Sequence, residues 1–257
     1  CADASDVAYL LEVSNYYFPD AQLTTADVIS TWAGVRPLIS ENANETGESA
    51  TESQVSREHE IFVDSDGLIT IAGGKLTTYR KMAAELVDRA IGMLMLTGQT
   101  PERLRPGQTH NEPLPGAVGW PANDDHDQVT AMVLEASNGS VSKETAALLG
   151  RTYGMRGIDV ARMAATDPAL AEPMTDERPE IMAQVDYAVK KELAATVRDI
   201  LIRRTQLFFR DRDQGLNASE KVAQRMGELL GWDDQRITEE NLAYQEEVGL
   251  SRRWREH

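Results

Sequence analysis

The stretch from Gly67 to Arg80 constrains the fold more than any other, because a β-branched strand runs into a glycine pair and then directly into a helix. Val63 to Ile71 supplies the strand character, and the turn-forming Asp64, Ser65, Asp66 and Gly67 fold the preceding residues back as a hairpin. Gly73 and Gly74 allow a tight turn and a close backbone approach. From Tyr79 the apolar positions 79, 82, 83, 86, 87, 90, 91 and 94 follow helical spacing, which predicts a helix beginning near Thr77. Unpaired N–H groups and the positive end of the helix dipole then point back toward the glycines, where Lys75 adds a full charge. An anionic group is favoured at such a place. The plainer reading also stands: a strand-to-helix turn in which the glycines only relieve sterics and Lys75 is solvated.

A chain of 257 residues with 41% hydrophobic content can form one large domain or two ordinary ones. No apolar run approaches the roughly 18 residues of a membrane span, and the first residues carry neither part of a signal peptide. A soluble protein is expected. The missing initiator methionine suggests a piece of a longer protein. One cysteine, Cys1, forms no internal disulfide, which fits a reducing, cytoplasmic location. No metal-ligand cluster stands out. The net charge of −16 argues against nucleic acid as a partner. Two local basic spots remain: Arg203, Arg204, Arg210 and Arg212 around Leu207 to Phe209, and Arg252, Arg253 and Arg255 around Trp254. Either admits contact with a membrane surface or an acidic partner, or is a set of solvated arginines beside buried aromatics.

The fold class expected is α+β: a segment with a few strands, then a mainly helical domain. A first helix spans 5–18, stopped by Pro19. A strand follows over Val28 to Ala33, and residues 40–54, almost without apolar side chains, form a mobile surface loop. After the helix that ends near Leu96, prolines and glycines crowd residues 98–123 and mark a linker. The expected domains are thus 1–97 and 124–257. The second contains about six helices, near 125–137, 142–153, 157–166, 178–204, 217–230 and 236–248, with Pro179 in a first turn and Asn217 with Glu220 as a capping box. Residues 142–166 have the outline of a helix-turn-helix, but few basic residues, and a packed helical hairpin accounts for them better.

Three segments, Trp32 to Leu38, Val55 to His59 and Gly67 to Met82, resemble in order and spacing the C-terminal half of an FAD-dependent glycerol-3-phosphate dehydrogenase. Val185 to Glu192, Asp199 to Thr205 and Met226 to Trp232 resemble the helical C-terminal domain of that family. The resemblance implies oxidation of sn-glycerol 3-phosphate to dihydroxyacetone phosphate, with hydride passing to FAD and electrons leaving to a membrane quinone. By the same resemblance Arg36 binds substrate, and its planar fork suits phosphate or substrate oxygens. Lys75 resembles the lysine near flavin and substrate. Gly74, Lys75, Leu76 and Thr77 are candidate flavin contacts. His59 is a tempting general base, yet Ser56 and Arg57 carry the resemblance there, so the catalytic residue stays unassigned.

One departure from the family matters for activity. No G-x-G-x-x-G occurs, so the βαβ unit that would hold the FAD pyrophosphate is absent, and this chain alone is expected neither to retain FAD nor to turn over substrate. Two alternatives remain open. One is a related FAD-dependent oxidase acting on an amine or hydroxy acid. The other is an interaction or assembly module in residues 124–257, with membrane recruitment or homo-oligomer formation as its output. Strands that lack their partners leave edges open to self-association.

Overall fold

A computed structural model of the protein describes residues 2–35, 39, 58–99 and 104–256. The loop expected over 40–54 and the candidate Arg36 lie outside the described residues. Contacts divide the chain into two units, Cys1–Ala33 with Leu114–His257, and Gly34–Pro113.

In the smaller unit, β1 (His59–Val63) and β2 (Ile69–Gly73) pair antiparallel, with Ile61 opposite Ile71 and Val63 opposite Ile69. The connecting turn closes as expected, with Gly67 at φ +88° and hydrogen bonds from Gly67 N to Asp64 O and from Asp64 N to Leu68 O, both 3.0 Å. One 3-10 turn, Leu76–Thr78, leads into α2 (Tyr79–Leu96). The helix ends at Gly98, φ +78°, where Gln99 N reaches back to Leu94 O at 2.9 Å.

In the larger unit, α1 (Ala4–Tyr17) starts at a reciprocal cap: Asp3 accepts from the N–H groups of Ser5 and Asp6, and Asp6 accepts from Asp3 N. The strand expected over Val28 to Ala33 does not form. Its β-branched content suits a strand, but backbone groups within it are taken by side chains: Thr31 N donates to Ser251 Oγ at 2.9 Å, Ser251 Oγ donates to Thr31 O at 2.9 Å, and Val28 O accepts from Arg255. Trp32 packs edge-on against Phe209, with ring centroids 5.0 Å apart. These contacts hold residues 1–33 to the helical unit, whereas from sequence they group with 34–97.

Helices α3 (His126–Ala136), α4 (Lys143–Tyr153) and α5 (Gly157–Thr166) lie within a residue of their expected bounds. Asp125 and Ser142 cap α3 and α4 by accepting from Gln128 N and Thr145 N. The three pack around Val129, Val133, Leu149 and Val160, all fully buried, as the packed hairpin requires. The short α6 (Pro168–Ala171) follows.

The single helix expected over 178–204 is instead a tight return followed by two helical pieces. Met174 N bonds to Glu180 O and Met182 N to Glu172 O, so Pro179 sits in a tight return and α7 (Ala183–Glu192) begins later. Leu193 ends α7 in the left-handed region, φ +56°. A π-helical stretch, Asp199–Arg204, follows, then α8 (Leu207–Arg210). The capping box expected at Asn217 and Glu220 is also absent. Helix α9 (Leu216–Leu230) starts behind Gly215, and its first N–H groups are met from Asp211, to Gly215 N at 2.8 Å, and Asp213, to Asn217 N at 3.0 Å. Asp233 caps α10 (Asp234–Arg252).

Ile200, Leu201, Leu207, Val222, Met226 and Tyr244 form a second dry core. Beside it the fully buried Asp186 joins α7 to α9: Arg225 grips both carboxylate oxygens, at 2.7 and 2.9 Å, and Lys190 adds a bond of 2.6 Å. Burial pushes the Asp186 carboxyl upward, but the two cations outweigh it and hold the group below the usual carboxylate range. Among the described residues no helix is long and apolar enough to cross a membrane.

Candidate functional site

The glycine turn of the smaller unit is built from inside outward. Gly73 and Gly74 have φ of +74° and +80°, a region that side chains disfavour. A Cβ on Gly73 would lie 2.6 Å from the Glu58 carbonyl oxygen and 2.9 Å from Ile39 Cδ1. On Gly74 it would lie 2.5 Å from Met82 Sδ and 3.1 Å from His59 Cβ. The turn's own packing therefore demands both glycines, which is the plainer of the two sequence readings.

What the turn presents is nonetheless cationic and open. Lys75 has extended backbone, and the chain closes on it reciprocally: Lys75 N donates to Thr78 Oγ1 at 3.4 Å, and that hydroxyl donates to Lys75 O at 2.9 Å. Gly74 is half-buried, whereas Lys75, Leu76 and Thr77 are exposed, Leu76 by 88%. The Lys75 ammonium makes no ion pair among the described residues. Of the four residues Gly74 to Thr77, Lys75 has its N–H taken by Thr78 Oγ1, and its side chain adds one full positive charge at this exposed turn ahead of α2.

His59 is tied into the support of this turn. Its Nε2 lies 2.6 Å from Glu85 Oε2, and the ring is only 18% exposed. An ionised carboxylate has no proton to give, so Nε2–H donates. The hydrogen bond from His59 holds the Glu85 carboxyl below the usual range against the opposing pull of burial, with Lys81 adding a smaller attraction. The pair fastens β1 to α2 just behind Gly74. Glu85 is the residue that sequence missed, since nothing in a separation of 26 residues marks it as His59's partner.

The two basic spots resolve differently from each other. Near the C-terminus Trp254 is buried, Arg252 donates to Gln214 Oε1 at 2.6 Å, and Arg255 donates to Val28 O at 2.8 Å while lying over the Trp254 ring. Around Leu207 to Phe209, Leu207 and Phe208 turn inward, Arg203 and Arg204 pair with Asp199 and Glu192, and Arg210 donates to Gln206 Oε1. No group of His, Cys, Asp or Glu among the described residues gathers to hold a metal.

Residues 107–237 match the C-terminal domain of alpha-glycerophosphate oxidase, and the chain belongs to that family. Similar proteins carry a more specific name. The mitochondrial glycerol-3-phosphate dehydrogenase of Rattus norvegicus is 34% identical over 240 residues, covering 91% of this chain and 30% of that protein. The aerobic glycerol-3-phosphate dehydrogenase of Bacillus subtilis is 34% identical over 232 residues, covering 90% of this chain and 40% of that protein. Among solved structures, the glycerol-3-phosphate dehydrogenase from Bacillus halodurans complexed with FAD superposes with a TM-score of 0.71 at 28% identity, over 97% of this chain and 45% of that one. The chain spans 30 to 40% of the length of these two curated relatives.

Proposed function

We propose that this chain is part of an FAD-dependent glycerol-3-phosphate dehydrogenase, which oxidises sn-glycerol 3-phosphate to dihydroxyacetone phosphate. The observation that carries this is the likeness, over 97% of the chain, to a glycerol-3-phosphate dehydrogenase complexed with FAD. The turn residues fit one end of that cofactor. Gly74, Lys75, Leu76 and Thr77 would hold the electron-rich edge of the flavin ring through donors and the Lys75 ammonium. They supply no glycine loop for its pyrophosphate, as no G-x-G-x-x-G occurs in the chain. When bound, FAD supplies the acceptor for the hydride leaving substrate C2. Arg36 would orient the substrate by gripping its phosphate or oxygens, and Lys75 would add a second cation suited to a dianion.

The same reading makes a quinone the onward acceptor and gives the parent protein a peripheral position on the cytoplasmic face of a membrane, where a homo-oligomer is compatible with it. The chain alone is expected to purify without flavin. In the intact parent protein, anaerobic glycerol 3-phosphate should bleach the flavin's visible absorption, and Arg36→Ala and Lys75→Ala should each abolish or greatly slow that bleaching. A properly flavinated wild type that stays unbleached rejects glycerol 3-phosphate as substrate.

A further inference from the structure

A cleft of about 510 Å³ opens in the helical unit, and four arginines from four separate elements line it. Arg151 comes from the last turn of α4, Arg178 from the return before α7, Arg204 from the end of the π-helical stretch and Arg210 from the end of α8. In a chain of net charge −16 such a convergence needs an account.

The four are not equivalent. Arg204 is spoken for: its Nε donates to Glu192 Oε2 at 3.1 Å, and its other nitrogens donate to the carbonyls of Asp199 and Glu192. Arg178 is loosely held, 3.4 Å from Glu180 Oε1, with its buried Nε making no hydrogen bond. Arg151 makes no ion pair among the described residues, and Arg210 is held only by a neutral partner, donating to Gln206 Oε1 at 2.8 Å. Gln206 itself has φ +60°, a strained conformation for a residue with a side chain, and it lines the same cleft. Two guanidinium groups therefore line the cleft without an ion pair among the described residues, and a third is under-satisfied.

We infer that this cleft binds a small phosphate-bearing anion. The volume falls within the range of about 300–1,000 Å³ typical of small-molecule sites. Two planar, permanently charged forks that make no ion pair match the two negative charges and several acceptor oxygens of a phosphate better than a single carboxylate. The one carboxylate on the wall, Glu144, suits a proton on the anion or a neighbouring hydroxyl. An extended polyanion is disfavoured, because the adjoining Arg203 is paired with Asp199 at 3.0 Å and Arg204 with Glu192, so no basic strip continues from the cleft.

Calorimetric titration of the chain with sodium phosphate, with chloride holding ionic strength constant, tests this. A saturable isotherm is expected in wild type and in Lys75→Ala, weakened at least about tenfold in Arg151→Gln/Arg210→Gln. Since neither arginine makes an ion pair, the double variant should melt with wild type in phosphate-free buffer, which separates loss of the site from loss of the fold. Methyl phosphate should compete. Absence of saturable phosphate binding in wild type, or undiminished binding in the double variant, overturns the inference. So does binding to phosphatidate vesicles without binding to the free anion. Loss of binding in Lys75→Ala alone would instead assign the phosphate to the glycine turn.

Discussion

Gly73 and Gly74 share a left-handed backbone, yet their surroundings rank them differently. An added Cβ at Gly73 meets the carbonyl oxygen of Glu58 at 2.6 Å, and Glu58 adjoins His59, the strand partner of Gly73. Backbone at the end of a ladder cannot yield without losing the pairing. At Gly74 the atom in the way is Met82 Sδ, at 2.5 Å, the far end of a side chain with three rotatable bonds. Gly73→Ala and Gly74→Ala are both expected to destabilise the smaller unit, by about 1–3 kcal/mol, with Gly73 the costlier. Chemical denaturation followed by a probe on α2 measures this, and a larger loss at Gly74 would contradict the ranking. The glycine pair is thus legible in sequence as a turn, but its packing reason is not: Glu58, Ile39 and Met82 come within reach only once hairpin and helix have met.

At the scale of the element, legibility follows whether a helix's period and its start signal agree. Helices α3 and α4 each begin at Asp or Ser followed by amphipathic spacing, and the caps form where those residues stand. The stretch 178–204 has helical composition throughout, and nothing in it announces a break. The break falls at Leu193, with φ 56° and ψ 35°, after which Ala194 N closes on Ala188 O at 3.0 Å. Glycine ordinarily takes this position, and the Leu193 side chain, 85% exposed, gains little packing in return. Leu193→Gly is therefore expected to stabilise the helical unit by about 1 kcal/mol, read as a raised denaturant midpoint at unchanged slope. A lowered midpoint would mean that Leu193 makes contacts in solution that outweigh its backbone strain. Val28 to Ala33 fails in the opposite sense: its residues prefer a strand, but Ser251 bonds the backbone of Thr31 and Arg255 the carbonyl of Val28 where a neighbouring strand would have paired.

The two units differ most in how much apolar surface each removes from water. In the helical unit two clusters of fully buried side chains span α3 to α10. In the smaller unit no described residue is fully buried, and α2 leaves Tyr79 58%, Val87 54%, Met95 52% and Leu96 89% exposed. Its amphipathic period is real, but the hairpin alone covers too little of the apolar stripe. Local stability follows buried contact, so opening of α2 and the hairpin should cost far less than opening of α7 or α9. Hydrogen exchange on the chain should show amides of α9 protected at least about a hundredfold more than those of α2, with the difference persisting at every pH where exchange is measurable. Equal protection would show that the smaller unit gains its stability from contacts beyond the hairpin and helix. Under the proposed function the same contrast matters: a turn that is to stabilise charge must be held still, and the His59–Glu85 bond is one contact that fastens its supporting strand to its helix. His59→Ala should therefore lower protection across β1 and the first turns of α2 while leaving α9 unchanged, and a loss that spreads equally into α9 would refute that local role.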